Sequence, residues 1–327
     1  MTTLGVLVGS RGIFPSDLCE RGRKTVLTVL KDEDIGAVAL TLKDTANGSV
    51  ESRADAAKCA ELFRVNRDRI DGILVTLPNF GDERGIADTL RMADLDVPVL
   101  VHAFPDEQGR MGIEQRRDGF CGKISLCSAL TQYAIPYSLT SRHAMDPEED
   151  GFREDLRRFA AVCRVTRALR HARFGQIGTR PSSSVAVRYS EKLLERVGIS
   201  VETVDLSEVF GRATALRDKD SMVLSKLDEI ADYVKTTKIP RESLHRMARL
   251  AVVLDQYMEE RGLVGTAIQC WTSMEENFGV APCVVMSMLS SALRPSACET
   301  DIAGLVGMYA MVLASGRPSA VASWNNN

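Results

Sequence analysis

The sequence predicts an α/β protein of two consecutive αβα domains, each with a parallel sheet. Three observations carry that prediction. Short runs of consecutive apolar residues, such as Leu4–Gly9, Gly72–Leu77 and Val97–Val101, lack the alternation of a half-exposed strand. Stretches with helical apolar spacing separate them, so successive strands need crossover connections and run parallel. The same pattern restarts at Phe174–Gly178 after a long helical stretch.

Taken in order, Leu4–Gly9 is the first strand, ended by Gly9 and the polar turn Ser10–Gly12, and a helix follows over Ser16–Leu30. Ala37–Leu40 is the second strand and Ser52–Asn66 the second helix. Gly72–Leu77 is the third strand, stopped by Pro78–Gly81, and Val97–Val101 the fourth. Ligands of such sheets bind beyond the carboxyl ends of the strands, here Ser10–Arg11, Pro78–Asn79 and His102–Ala103. Gly119–Pro136 reads as a loop and a helix. The expected domains are 1–150 and 173–327, joined by a linking helix over 151–172.

In the second domain Phe174–Gly178 is a strand, Thr179–Ser184 a turn, Val185–Val197 a helix and Ile199–Val204 the next strand. A mostly helical stretch runs to Arg261, and Gly265–Cys270 is a strand ending at Trp271–Thr272. A buried segment begins at Pro282, a helix follows Glu299 to about Ser315, and Ser319–Ser323 is the expected last strand.

Composition excludes several functions. The 327 residues carry a net charge of −3, with 45% apolar and 26% charged residues, which gives no electrostatic footprint for nucleic acid or an anionic membrane. The basic residues of Arg153–Arg173 alternate with apolar ones and read as a solvated helix face. No apolar run is long enough to span a bilayer, and the first residues lack a signal-peptide layout. The eight cysteines form no C-x-x-C pair and sit among small apolar residues, the pattern of reduced core thiols and of a cytoplasmic location.

Glu299 is the foremost candidate for chemistry. It stands in Ala297–Asp301, just before an apolar helical run. A carboxylate there either caps the helix, a role open to Glu299 or Asp301, or serves as a metal ligand or general base. Gln269 and Trp271 at a strand end pair a hydrogen-bonding amide with an aromatic wall, a combination suited to a sugar. Core packing is the alternative for Trp271. Arg11, at the end of the first strand, is either an anion or hydroxyl ligand or a plain surface residue. Gly178–Ser184 has the look of a phosphate-cradling turn at a helix start. It is not a P-loop, and Gly9–Gly12 is not a dinucleotide fingerprint, so no nucleotide cofactor is expected. Of the four histidines only His102 falls at a strand end, while His143, His171 and His245 read as surface residues.

Several blocks resemble the L-fucose isomerase-like proteins of the L-fucose/L-arabinose isomerase superfamily: Val8–Pro15, Gly122–Tyr133, Arg188–Leu194, Gln269–Thr272, Ala297–Glu299 and Trp324–Asn327. The resemblance spans the chain. It implies two Rossmann-like αβα domains followed by a β-rich C-terminal domain, which this sequence is expected to lack. It implies Mn²⁺-dependent aldose–ketose interconversion through an ene-diol, with the metal held by a Glu, an Asp and a His. Glu299 falls on the family's Glu and would be both catalytic residue and metal ligand. Ser323 falls on the family's Asp, and the His belongs to the C-terminal domain. A hydroxyl is a far weaker ligand for a divalent cation than a carboxylate, so turnover by this chain is expected to be impaired. Sugar contacts are implied for Arg11, Gln269, Trp271 and Asn325, with Arg11 serving a neighbouring subunit in a homo-oligomer, a hexamer in the family. The competing reading is a non-catalytic sugar-binding or regulatory relative.

Overall fold

Strand β1 (Thr3–Val8) buries side chains on both faces, Leu4, Val6 and Val8 in one apolar cluster and Leu7 in another. A strand of this kind needs a helix layer on each side. α1 (Asp17–Asp32) covers one side with Cys19, Val26 and Leu30. After β2 (Gly36–Ala39), α2 (Arg53–Val65) covers the other with Ala56, Cys59 and Phe63. The start of α2 is set by Ser52, whose hydroxyl accepts from the Asp55 amide while Asp55 accepts from the Ser52 amide, a reciprocal capping box.

β3 (Gly72–Leu77) is buried along its whole length. It leads into α3 (Glu83–Ala93), capped by Asp82, whose carboxylate accepts from the Gly85 amide at 2.6 Å. Then come β4 (Val99–Ala103), α4 (Gly119–Gln132), a short β5 (Ser138–Leu139) and α5 (Asp150–Leu169). The strands are parallel in the order β2-β1-β3-β4-β5. Neither α3 nor β5 stood out in the sequence.

The computed structural model describes residues 1–322 and separates into two units, Met1–Arg167 and Ala168–Asn327. The helix expected to link the halves is a layer of the first unit: Phe152, Leu156 and Phe159 of α5 pack with Leu4, Val6 and Leu74. Its apolar stripe finds a sheet face to cover, which is why it does not stand free as a connector.

The second unit repeats the scheme. β6 (Arg173–Ile177) is followed by a single 3₁₀ turn at Val185–Val187 and a short α6 (Glu191–Glu195). The continuous helix expected over Val185–Val197 is therefore absent, because backbone at Arg188 is extended. β7 (Ser200–Val204) precedes α7 (Leu206–Ala215), α8 (Ser221–Tyr233) and α9 (Arg241–Arg261). β8 (Gly265–Ile268), α10 (Cys283–Ser291), β9 (Ser296–Cys298) and α11 (Ile302–Ser315) complete it. Its strands are parallel in the order β7-β6-β8-β9. α7, α9 and α10 pack on Ile177, Val204 and Ile268, and α11 packs on Phe174, Ala267 and Ala297 from the other face.

The strand expected over Ser319–Ser323 is not formed through residue 322. Ser319 instead donates its hydroxyl to the Met308 carbonyl at 2.9 Å, which ties the segment to α11 and not to a neighbouring strand. The expected ligand Ser323 and sugar contact Asn325 lie outside the described residues. Among the described residues no helix is long and apolar enough to cross a membrane.

Candidate functional site

The strand order of the second unit creates a switch point between β6 and β8, where connections leave toward opposite faces and a crevice opens at the carboxyl ends. Ile177 and Ile268 end their strands side by side. Gly178 follows at φ 88°, and a side chain there would collide with Gln269, whose Oε1 would lie 2.6 Å from an added Cβ. Only glycine lets the two segments approach this closely. The approach places the Thr179 amide 2.8 Å from Gln269 Oε1, while Gln269 Nε2 donates to the Trp271 carbonyl at 3.1 Å. Both ends of the Gln269 amide are thus taken by backbone. Trp271 is 58% exposed, which removes core packing as its role.

The third contributor is β9, in parallel register with β8. Directly after Cys298 the backbone turns through two left-handed residues, Glu299 and Thr300, each at φ 55°. Non-glycine residues pay a steric penalty of roughly 1 kcal/mol each in this region, and two in succession are rarer still. The Thr300 amide is held by the Ile268 carbonyl at 3.2 Å, and its side chain is buried. The turn presents the Glu299 carboxylate toward the loop after β6, with Ser184 Oγ donating to Oε2 at 3.4 Å.

Asp301 settles which carboxylate caps the following helix. Its Oδ1 accepts from the Gly304 amide at 2.8 Å, at the N-cap of α11. Glu299 is free of that duty. The loop after β6 therefore joins Gln269, through Thr179, and Glu299, through Ser184. It cannot cradle a phosphate at a helix end, because the helix that follows it has only five residues.

Three further residues here carried no sequence signal. Cys270 Sγ and Cys298 Sγ lie 3.0 Å apart across the ends of β8 and β9. Burial, and then the neighbouring Cys270 thiol, push Cys298 up to about 12. Ser184, the last of three consecutive serines, is marked only by its proximity to Glu299.

Mn²⁺ favours about six mostly oxygen ligands. Among the described residues, no three His, Cys, Asp or Glu side chains form a group that could hold a metal ion. With Asp301 committed to its cap, Glu299 and the Ser184 hydroxyl are too few donors to hold Mn²⁺, so the described residues alone do not fit that ion.

The first unit also has a switch point, between β1 and β3, and it is self-satisfied. Arg11 is ion-paired with Glu83 and stacks over the Phe80 ring at 4.3 Å, and its amide donates to Asn79 Oδ1 at 3.2 Å. His102 is fully buried and is a core residue, contrary to its expected place near a ligand. Its Nε2 lies 2.8 Å from the Met145 carbonyl, which can only accept, so Nε2 carries the proton and Nδ1 accepts from the Thr76 hydroxyl at 2.9 Å. Burial lowers its pKa to about 3 and keeps the ring neutral. His245, expected at the surface, is buried beside Asp218, its Nδ1 3.3 Å from Oδ1.

Comparison with known proteins gives a consistent picture. A family model described as fucose/sulfoquinovose isomerase, N-terminal domain, matches residues 5–170. A sulfoquinovose isomerase of Priestia aryabhattai is 22% identical over 249 residues, which cover 76% of this chain and 54% of that protein. One from Alkalicoccus urumqiensis is 26% identical over 216 residues, covering 65% of this chain and 47% of the relative. One from Clostridium sp. (strain MSTE9) is 24% identical over 174 residues, 53% of this chain and 39% of the relative. The chain spans about half the length of the curated relatives it matches.

Proposed function

The chain belongs to the fucose/sulfoquinovose isomerase family, and from that premise we propose that it serves aldose–ketose interconversion of a sugar, with Glu299 as the acid–base residue. The observation that carries the proposal is the pair of left-handed residues that hold the Glu299 carboxylate at the sheet's carboxyl edge while Asp301 takes over the helix cap. Backbone strain of this kind persists where the surroundings enforce it, and it gathers at functional positions.

In the proposed reaction the Glu299 carboxylate takes the proton from carbon 2 of the aldose while the carbonyl oxygen on carbon 1 gains a proton from water, giving an ene-diol and a hydroxide that later accepts the carbon-2 hydroxyl proton. The same group returns its proton to carbon 1 as the hydroxyl on carbon 2 gives up its own, leaving the ketose. The exposed Trp271 indole offers a face for the sugar ring. Arg11 is proposed to contact sugar in a neighbouring subunit of a homo-oligomer, a hexamer by family resemblance, in the cytoplasm. Mn²⁺ would polarise the two reacting oxygens where it is bound. The described donors do not complete a site for it, and its affinity for this chain is expected to be weak. Ser323, in place of a carboxylate, supports impaired turnover, and a sugar-binding relative without catalysis is the second reading.

The test is an isomerase assay on sulfoquinovose and fucose with and without Mn²⁺, beside calorimetric Mn²⁺ titration and light scattering. Low activity with weak Mn²⁺ binding, both reduced by Glu299→Gln, is the expected result. Strong activity that survives Glu299→Gln removes Glu299 from the chemistry, and a monomer removes the role of Arg11.

A further inference from the structure

We infer that Cys270 and Cys298 are a modification site, closing to a reversible disulfide by exchange with a low-molecular-weight disulfide. The two sulfurs already lie 3.0 Å apart. A disulfide bond is about 2.05 Å long, so closure needs an approach of about 1 Å. The thiols also differ in access as such a pair requires. Cys298 is an exposed residue, whereas Cys270 is only 3% exposed. Cys298 borders a cavity of about 370 Å³ of mixed lining, Ser287, Ser290, Met286 and Met308 among others, which gives a small reagent a way in.

The chemistry balances as two exchanges. With Cys298 held up at about 12 only a small thiolate fraction reacts, so exchange is slow near neutral pH: the Cys298 thiolate attacks one sulfur of the external disulfide, the external S–S bond breaks, and one external thiol leaves carrying the proton that Cys298 gave up. The Cys270 sulfur then attacks Cys298 in the mixed disulfide, and the second external thiol leaves with the Cys270 proton. The protein dithiol is oxidised and the external disulfide is reduced to two thiols. The new bond ties the end of β8 to the residue before Glu299 and so fixes the turn that carries it.

The experiment treats the full chain with oxidised glutathione, blocks remaining thiols by alkylation, and maps peptides by mass spectrometry. The expected product joins the Cys270 and Cys298 peptides and is reversed by dithiothreitol. Cys298→Ser leaves Cys270 to be alkylated only after denaturation, and Cys270→Ser stops the wild-type sequence of events at a glutathione adduct on Cys298. A wild-type chain in which glutathione stays on Cys298 while Cys270 remains a free thiol overturns the inference. So does a bond from Cys298 to Cys283. Both readings come from the wild-type chain, so a variant that folds poorly does not blunt the test, and neither depends on isomerase activity.

Discussion

Both units place their first strand inside the sheet, in the orders β2-β1-β3-β4-β5 and β7-β6-β8-β9, yet the carboxyl ends of the two sheets carry opposite chemistry. In the first unit the candidate ligand residues at the ends have partners from their own fold: Arg11 pairs with Glu83, Asn79 holds the Arg11 and Gly81 amides, and His102 is locked between Thr76 and Met145. In the second unit Glu299 stands on a strained turn with one long contact from Ser184, Trp271 faces solvent, and two thiols nearly touch. Topology supplies a crevice in both. What makes one of them a candidate site is the polar groups its own fold leaves unspent. The family match covers residues 5–170, so membership rests mainly on the self-satisfied unit while the candidate chemistry sits in the other.

The largest expected effect tests that contrast directly. Glu299→Gln is expected to lower isomerase turnover by about 100-fold or more, the usual scale for losing an acid–base group, with stability changed by less than about 0.5 kcal/mol. Steady-state kinetics and urea unfolding of the same variant check both halves. A large stability loss would make Glu299 structural and erase the difference between the units.

The next effect belongs to the first unit and acid. His102 has a folded pKa lowered to about 3 by burial, against an ordinary value of 6.5. The unfolded chain therefore binds a proton that the folded unit refuses. Its contribution is fully present above about pH 6.5 and is lost as pH falls toward 3, by on the order of 3 kcal/mol at about pH 4. Both tryptophans of the sequence, Trp271 and Trp324, follow residue 167, so tryptophan fluorescence carries no signal from the first unit. Circular dichroism is expected to fall at higher pH than fluorescence changes, and coincident transitions would remove His102 as the weak point.

Asp301→Ala deletes the cap of α11 and is expected to cost about 1 kcal/mol in the second unit. It also tests the division of labour with Glu299: if Glu299 swings over to cap the helix, stability is held and sugar or metal binding falls instead. The smallest effect is Arg11→Ala, expected to destabilise the first unit by about 0.5–1 kcal/mol through the lost ion pair and ring contact. A loss of several kcal/mol, read by chemical unfolding, would make Arg11 a keystone of the fold and not a residue available to a ligand.

Four of the five strands of the first sheet were legible, Leu4–Val8 and Gly72–Leu77 because they are apolar on both faces, and the helix expected from Ser52 begins at Arg53 with Ser52 as its cap. β9 was not, since three residues, Ser296–Cys298, are too few to display a period. The helix expected over Val185–Val197 failed because propensity there yields to the extended backbone at Arg188. His102 and His245 misled for one reason: a histidine's burial depends on partners such as Met145 and Asp218 that are remote in the chain. The position of Glu299 just before an apolar helical run was readable. Its left-handed backbone and its separation from the capping role of Asp301 were not, because both depend on where the Ile268 carbonyl waits for the Thr300 amide.

The order of strands in the second sheet also bears on how that unit is made on the ribosome. β6 and β7 emerge first and are neighbours in the sheet, β8 lies against β6, and β9 has only β8 to join. The amino-terminal part of a chain emerges first during synthesis, so the Glu299 turn is among the last pieces to find its mould. Until then the outer side of β8 is a bare row of amides and carbonyls, the kind of edge that recruits strands from other chains. A nascent chain paused before Ser296 would carry that edge uncovered, and chaperone capture or aggregation at this stage would depend on how quickly β9 arrives to replace it with a shorter, three-residue edge.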